Sequence, residues 1–200
     1  LAPLGQAALK KLNLLSFSSV LDIGCGTGRT TIDIAKSLGA DGKATGLDIS
    51  EPMLQKAEML AKSEEVENID FACVDVQVES LGDVVFEAAF SRFGVMFFED
   101  PKEAFSNIHN ALSATGALSF VCWQSPAVNP WHALSMEVVT EYIDIPKPPP
   151  RSPSPFAFQE RDYVEEILVT AGFRNIEIQS LEKKIAWFNG KDSNCAASSY

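Results

Sequence analysis

The sequence predicts an α/β fold: a three-layer sandwich with a mostly parallel central sheet and helices on both faces. Short apolar runs with β-branched members alternate along the chain with longer stretches of helical period, the order that crossover helices between parallel strands require. The first apolar run breaks into a helix through three glycines at every second position, Gly24, Gly26 and Gly28. Hydrophobic residues make up 46% of the 200. That supports one domain, residues 1–200, around one sizeable core.

The elements follow in order. Leu4 to Leu15 has apolar residues at positions 4, 8, 9, 12 and 15, a helical period that packs ahead of the first strand. Val20, Leu21 and Ile23 form that strand. Thr30 to Leu38 continues as helix from the glycine turn and stops at Gly39, a C-cap residue. Lys43 to Ile49 is a second strand ending at Asp48. Ser50 then caps a helix with Pro52 in its first turn and Met53, Leu54, Ala57, Leu60 and Ala61 along it. Ile69 to Val74 is a third strand, followed by Asp75 and Val76. Phe86 to Ser91 is a fourth, followed by the aromatic stretch Arg92 to Phe98. Glu99, Asp100 and Pro101 start a helix to about Leu112, with His109 facing solvent. Gly116 to Trp123 is the fifth strand.

From Gln124 the composition changes. Prolines from Pro126 to Pro155 flank a short amphipathic segment, Trp131 to Tyr142, which cannot continue a sheet. Residues 125–157 are therefore expected to be an insertion that closes over a pocket as a lid. Phe158 to Gly172 is the next helix, and Arg174 to Leu181 alternates as a sixth strand that Lys184 to Phe188 continues or pairs with.

Charge and cysteine usage exclude several functions. The formal net charge is -11 and the pI about 4.6. Basic residues run no longer than the pairs Lys10-Lys11 and Lys183-Lys184, so a nucleic-acid partner is not expected. Cys25, Cys73, Cys122 and Cys195 lie far apart with no C-x-x-C, which argues against a metal site or a redox dithiol. No apolar run approaches the roughly 20 residues of a membrane span. With no signal peptide either, a cytoplasmic setting is expected.

The glycine turn discriminates between ligands. A dinucleotide fingerprint needs G-x-G-x-x-G, and the position of its last glycine holds Arg29. A phosphate loop needs a Lys followed by Ser or Thr, which nothing after Gly24 supplies. The pattern G-x-G-x-G leaves an adenosine ligand without a pyrophosphate. Asp48 lies about 20 residues past the last glycine, where α/β nucleotide folds place a carboxylate on ribose hydroxyls. Asp75, at the end of the third strand, is placed to accept the adenine amino group while Val76 covers the ring.

Asp22 followed by Ile23-Gly24-Cys25-Gly26-Thr27-Gly28, with Asp48 beyond, resembles motif I of the class I S-adenosylmethionine-dependent methyltransferases. The likeness extends over most of the chain and is closest to the small-molecule branch that includes ubiquinone and menaquinone biosynthesis. Ser91 to Pro101, S-R-F-G-V-M-F-F-E-D-P, and Phe120 to Trp123 are like one bacterial group of that branch. The resemblance implies a Rossmann-like fold and S-adenosyl-L-methionine as cofactor, with S-adenosyl-L-homocysteine as product. Asp22 counts with the cofactor-binding residues. Gly24, Cys25, Gly26 and Gly28 would line the methionine part, Asp48 the ribose, and Ile49, Met53, Asp75 and Val76 the adenine. Ser91 and Arg92 would stand near the sulfonium and carboxylate ends. Glu87 replaces the Asp common in the fourth strand of relatives, and Ala114-Thr115-Gly116 replaces their Pro-Gly-Gly. The family sheet closes with an antiparallel seventh strand. Either Lys184 to Phe188 supplies it or the chain is a fragment, a reading that the absence of a methionine at Leu1 shares.

Methyl transfer by in-line displacement needs alignment and exclusion of water more than a dedicated catalytic group. If the acceptor is a hydroxyl or an acidic carbon, His132 is the histidine placed to serve as base. Phe93, Met96, Phe97, Trp123 and Trp131 point to a small apolar acceptor, aromatic in character. Two other readings share much of this sequence: an S-adenosylmethionine-binding protein without turnover, and a nicotinamide-dependent oxidoreductase that would keep Asp48 but lacks the required third glycine.

Overall fold

The structure is a computed structural model that describes residues 2–81, 85–144, 146 and 149–183. Its centre is a five-stranded sheet, all parallel, in the order β3-β2-β1-β4-β5. The strands are β1 (Ser19–Ile23), β2 (Lys43–Asp48), β3 (Ile69–Cys73), β4 (Phe86–Arg92) and β5 (Leu112–Val121). The helices are α1 (Ala2–Leu9), α2 (Arg29–Ser37), α3 (Glu51–Ser63), α4 (Pro101–Asn110), α5 (Pro130–Thr140) and α6 (Arg161–Thr170). This is the expected Rossmann-like sandwich.

β1 lies at the middle of the sheet with both faces covered, so Val20, Leu21 and Ile23 are all buried, as the continuous apolar run requires. Leu21 and Ile23 join one core layer with Phe105 and Ile108 of α4 and Val164 and Ile167 of α6. Val20 faces the other layer, with Ile34 of α2, Leu9 of α1 and Ala88 and Phe90 of β4. Phe105 is the hub of the first layer, with the rings of Phe98, Phe120, Phe158 and Phe173 around it. α4 starts as its sequence foretells: Pro101 stands at its first position, and the Asp100 carboxylate accepts the Glu103 N–H at 3.0 Å.

Several elements differ from expectation. α1 ends at Leu9, because its last turn tightens to i→i+3 bonds, Lys11 to Ala8 and Leu12 to Leu9. A separate 3-10 turn follows at Leu14–Ser16. β5 begins at Leu112, and the chain then advances five residues, to Ala117, while β4 advances two from Phe86 to Ala88. α6 starts at Arg161, with Ala157 and Phe158 already buried ahead of it. His109 is half-buried, not simply facing solvent. Its ring meets Phe173 edge-on at 5.0 Å, and Gly172 turns the chain back over it with a φ of +97°. Arg174 to Leu181 is not a strand. The alternation is real, since Ile176 and Ile178 pack on the core while Glu177 and Gln179 are exposed. A strand also needs a ladder partner, and none is found for it among the described residues. Lys184 to Phe188 and Cys195 lie outside the described residues.

Candidate functional site

The carboxyl ends of the five strands form one edge of the sheet, and the strand order reverses between β1 and β4. Open parallel sheets bind ligands at such an edge.

β1 leaves the sheet through Gly24, Gly26 and Gly28, whose φ angles are +65°, +56° and +76°. Their surroundings differ. A Cβ on Gly24 would lie 2.9 Å from Gly94 Cα, and one on Gly28 would lie 2.6 Å from Ala57 Cβ of α3 and 2.9 Å from the Phe71 ring. On Gly26 it would meet only the tip of Met53, at 3.3 Å. Packing of chain on chain thus demands glycine at 24 and 28. Gly26 keeps its backbone uncovered apart from one flexible side chain.

The end of β2 is tied to this turn. The Cys25 N–H donates to the Leu47 carbonyl at 3.0 Å, and the Asp48 carboxylate accepts the Gly26 N–H at 2.8 Å and the Ser50 N–H at 2.9 Å. Each carboxylate oxygen keeps a second acceptor position, so Asp48 can still receive two hydroxyls. Beside it Ile49 is 72% exposed and Met53 41%, apolar surface at the mouth of the turn. The Cys25 thiol is buried, and burial, with the charges of Asp22 and Asp48 adding, pushes its pKa far up. It is a neutral packing group, not a nucleophile.

Asp22 lies beneath the turn and is buried. Its Oδ2 accepts the Thr31 hydroxyl of α2 at 2.7 Å, and its Oδ1 has no hydrogen-bond partner. Burial raises its pKa to about 7, against smaller opposing effects of the Thr31 hydrogen bond and Arg92.

At the end of β3 the Asp75 carboxylate accepts the Gln77 N–H at 3.0 Å, and the Asp75 N–H donates to Glu79 at 2.7 Å. Val76 turns into the core, where it is 4% exposed. At the end of β4 the buried Ser91 hydroxyl donates to the Ile23 carbonyl at 2.8 Å and accepts the Gly94 N–H at 3.3 Å. It holds the exits of β1 and β4 together. Arg92 projects from the other face of β4, and its stem packs over Gly5 of α1.

The far side of the site is aromatic. Phe93 has a φ of +61°, unusual for a bulky residue. Its ring stacks on Trp123 with centroids 4.7 Å apart and 19° between planes. Trp123 meets Trp131 of α5 at 5.2 Å, and Trp131 stacks on Phe156 at 5.9 Å. His132 stands edge-on to Phe156 at 4.6 Å. Phe93, Trp123, Trp131 and His132 therefore come together. Met96 does not join them: it is in the core, 2% exposed, and Phe97 is half exposed. Thr31, Gly94 and Phe156 were missed by sequence reasoning. Phe156 carried a signal, an aromatic directly after Pro155 in the insertion. Thr31 carried none, because its contact with Asp22 depends on how α2 packs back on β1. Among the described residues no group of His, Cys, Asp or Glu could hold a metal ion. None of the described helices is long and apolar enough to cross a membrane.

Comparison with known proteins agrees with this fold. A family profile described as "Methyltransferase domain" matches residues 20–116, from β1 into β5. A demethylmenaquinone methyltransferase of Staphylococcus carnosus is 26% identical over 198 residues, 90% of this chain and 78% of the relative. The chain is similar to S-adenosylmethionine-dependent methyltransferases of class I and to their small-molecule branch. A second demethylmenaquinone methyltransferase, from Lactococcus lactis, is 44% identical over 63 residues, which are 32% of this chain and 25% of that relative. The solved structure of a SAM-dependent methyltransferase from Aquifex aeolicus superposes with a TM-score of 0.64 at 20% identity, covering 85% of this chain and 79% of that one. In this chain the matched segment holds Asp22, the glycine turn, Asp48, Asp75 and Ser91 through Phe97. Trp123, Trp131, His132 and Phe156 all lie beyond its last matched residue.

Proposed function

We propose that this chain binds S-adenosyl-L-methionine at the glycine turn and transfers its methyl group to a small, apolar, ring-bearing acceptor. The observation that carries the reading is the Asp48 latch: one carboxylate fixes the Gly26 backbone and still has acceptor positions for vicinal hydroxyls. The residues fit the cofactor. Gly26 supplies uncovered backbone, Ile49 and Met53 an apolar flank for adenine, Asp75 a carboxylate at the next strand end, and Asp22 one buried carboxylate oxygen, Oδ1, without a partner. Ser91 acts through the backbone of Ile23 and Gly94, and Val76 supports the adenine side from within the core.

S-adenosyl-L-methionine, when bound, supplies a sulfonium methyl for in-line displacement. The protein's own contribution is alignment and exclusion of water. Residues 125–157 form the lid, held by Trp131 and Phe156, and the rings of Phe93, Trp123 and Trp131 give a flat apolar wall for the acceptor. The curated relatives are named for demethylmenaquinone, a quinone, and such a wall suits a ring of that kind. His132, oriented by Phe156, is the group available to take a proton from an acidic acceptor.

The test is turnover. The chain is incubated with S-adenosylmethionine and a set of apolar quinols and phenols, and S-adenosylhomocysteine is measured. Acceptor-dependent product formation, weakened in Trp131→Ala, supports the reading. Tight cofactor binding without turnover on any ring acceptor would overturn the transferase part and leave a cofactor-binding protein.

A further inference from the structure

We infer that Asp22 is a proton-coupled acceptor for the cationic end of the cofactor, so that cofactor binding releases a proton from the Asp22 carboxyl to solvent. This rests on the proposed S-adenosylmethionine site. Four observations carry it. Asp22 is 1% exposed, Thr31 satisfies only Oδ2, and Oδ1 is buried without a partner. A carboxylate left so would lose far more hydration than it regains, whereas a neutral carboxyl in the same place loses much less. The residue also precedes the first glycine of the turn by two positions, at the strand-order reversal.

The charged groups facing Asp22 do not remove this cost. Arg92 from β4 favours ionisation and Asp48 at the end of β2 opposes it. Thr31 contributes a neutral hydroxyl from α2, and the Cys25 thiol in the turn stays protonated. With one cation against one anion, burial dominates, and the free protein holds the proton up to neutral pH. A ligand carrying an ammonium and a sulfonium changes that balance, because a nearby positive charge favours the ionised carboxyl. The proton leaves to buffer, and the carboxylate pairs with the cation.

The experiment is calorimetric titration of the full chain with S-adenosylmethionine, just below neutral pH, in two buffers of different ionisation enthalpy. The measured heat is expected to differ between buffers by close to one proton released per cofactor bound. Affinity is expected to rise about tenfold per pH unit below the Asp22 titration and level off above it. Asp22→Asn keeps an acceptor for Thr31 and is expected to lose both the proton release and the pH dependence. Binding of the unaltered chain with the same heat in both buffers would overturn the inference while leaving the cofactor site intact. Proton release that persists in Asp22→Asn would overturn it too. Failure to bind in either buffer would overturn the cofactor reading itself.

Discussion

The two sides of the candidate site are held by different forces. On the β1–β2 side the chain is fixed by directional bonds: Asp48 to the Gly26 and Ser50 amides, Cys25 to Leu47, and Thr31 to Asp22. Glycines at 24 and 28 let backbone meet neighbouring chain with no room for a Cβ. Beyond β5, Trp123, Trp131, Phe156 and His132 meet through ring contacts, and α5 has no buried residue. Ring contacts tolerate sliding and hydrogen bonds do not. A fixed cradle therefore faces an adaptable wall.

If that contrast is right, substitutions on the cradle side change stability and cofactor affinity, while those on the wall leave both nearly untouched. The largest effect is expected at Asp22. Its carboxyl titrates at about 7 in the fold, against 3.8 for an ordinary one. The native state thus holds the proton more tightly than the unfolded chain. Stability falls as pH rises from about 4 to about 7 and levels off above, a loss of about 4 kcal/mol. Urea denaturation across that window is expected to show the decline in the unaltered protein and a flat profile in Asp22→Asn, which becomes the more stable of the two above neutrality.

Gly28→Ala comes next. Its positive φ costs about 1–2 kcal/mol for a residue with a Cβ, and overpacking against Ala57 and Phe71 adds about 1–3 kcal/mol. Gly26→Ala meets only the tip of Met53 and is expected to cost about 1 kcal/mol in thermal or urea unfolding. Equal losses at the two positions would break the distinction between a packed and a ligand-facing glycine. Asp48→Ala is expected to weaken S-adenosylmethionine binding about 100-fold, from the loss of two charge-assisted hydrogen bonds and the release of Gly26. Trp131→Ala has the smallest effect on the cradle. Cofactor affinity is expected to stay within about twofold, while the KM for a ring acceptor rises severalfold from about 1 kcal/mol of lost stacking. A large loss of cofactor affinity in Trp131→Ala would mean that the two sides are not independent.

How much of this could be read from the sequence divides along the same line. The cradle was legible because it is local: β1, the glycines and Asp48 lie on consecutive elements, and spacing alone ruled out a dinucleotide turn at Arg29. The five parallel strands followed from apolar runs that each have a partner in the sheet. Arg174 to Leu181 failed because alternation reports which residues face inward, as Ile176 and Ile178 do, and says nothing of a ladder partner. On the aromatic side, composition drew Phe93, Trp123 and Trp131 together but could not separate wall from core. Met96 entered the core, and Phe156 joined the rings through a return of the chain that no short-range pattern encodes. Thr31 and Ser91 show the same limit, since their hydroxyls serve partners 9 and 68 residues away.

The central claim is the adenosine cradle built on Asp48 and the glycine turn. Calorimetric titration of the chain with S-adenosylmethionine and S-adenosylhomocysteine, with NADH as control, tests it most directly. Saturable binding of the first two, absent for NADH and lost in a folded Asp48→Ala variant, is the predicted result. Binding of NADH, or S-adenosylmethionine affinity unchanged in Asp48→Ala, would contradict it.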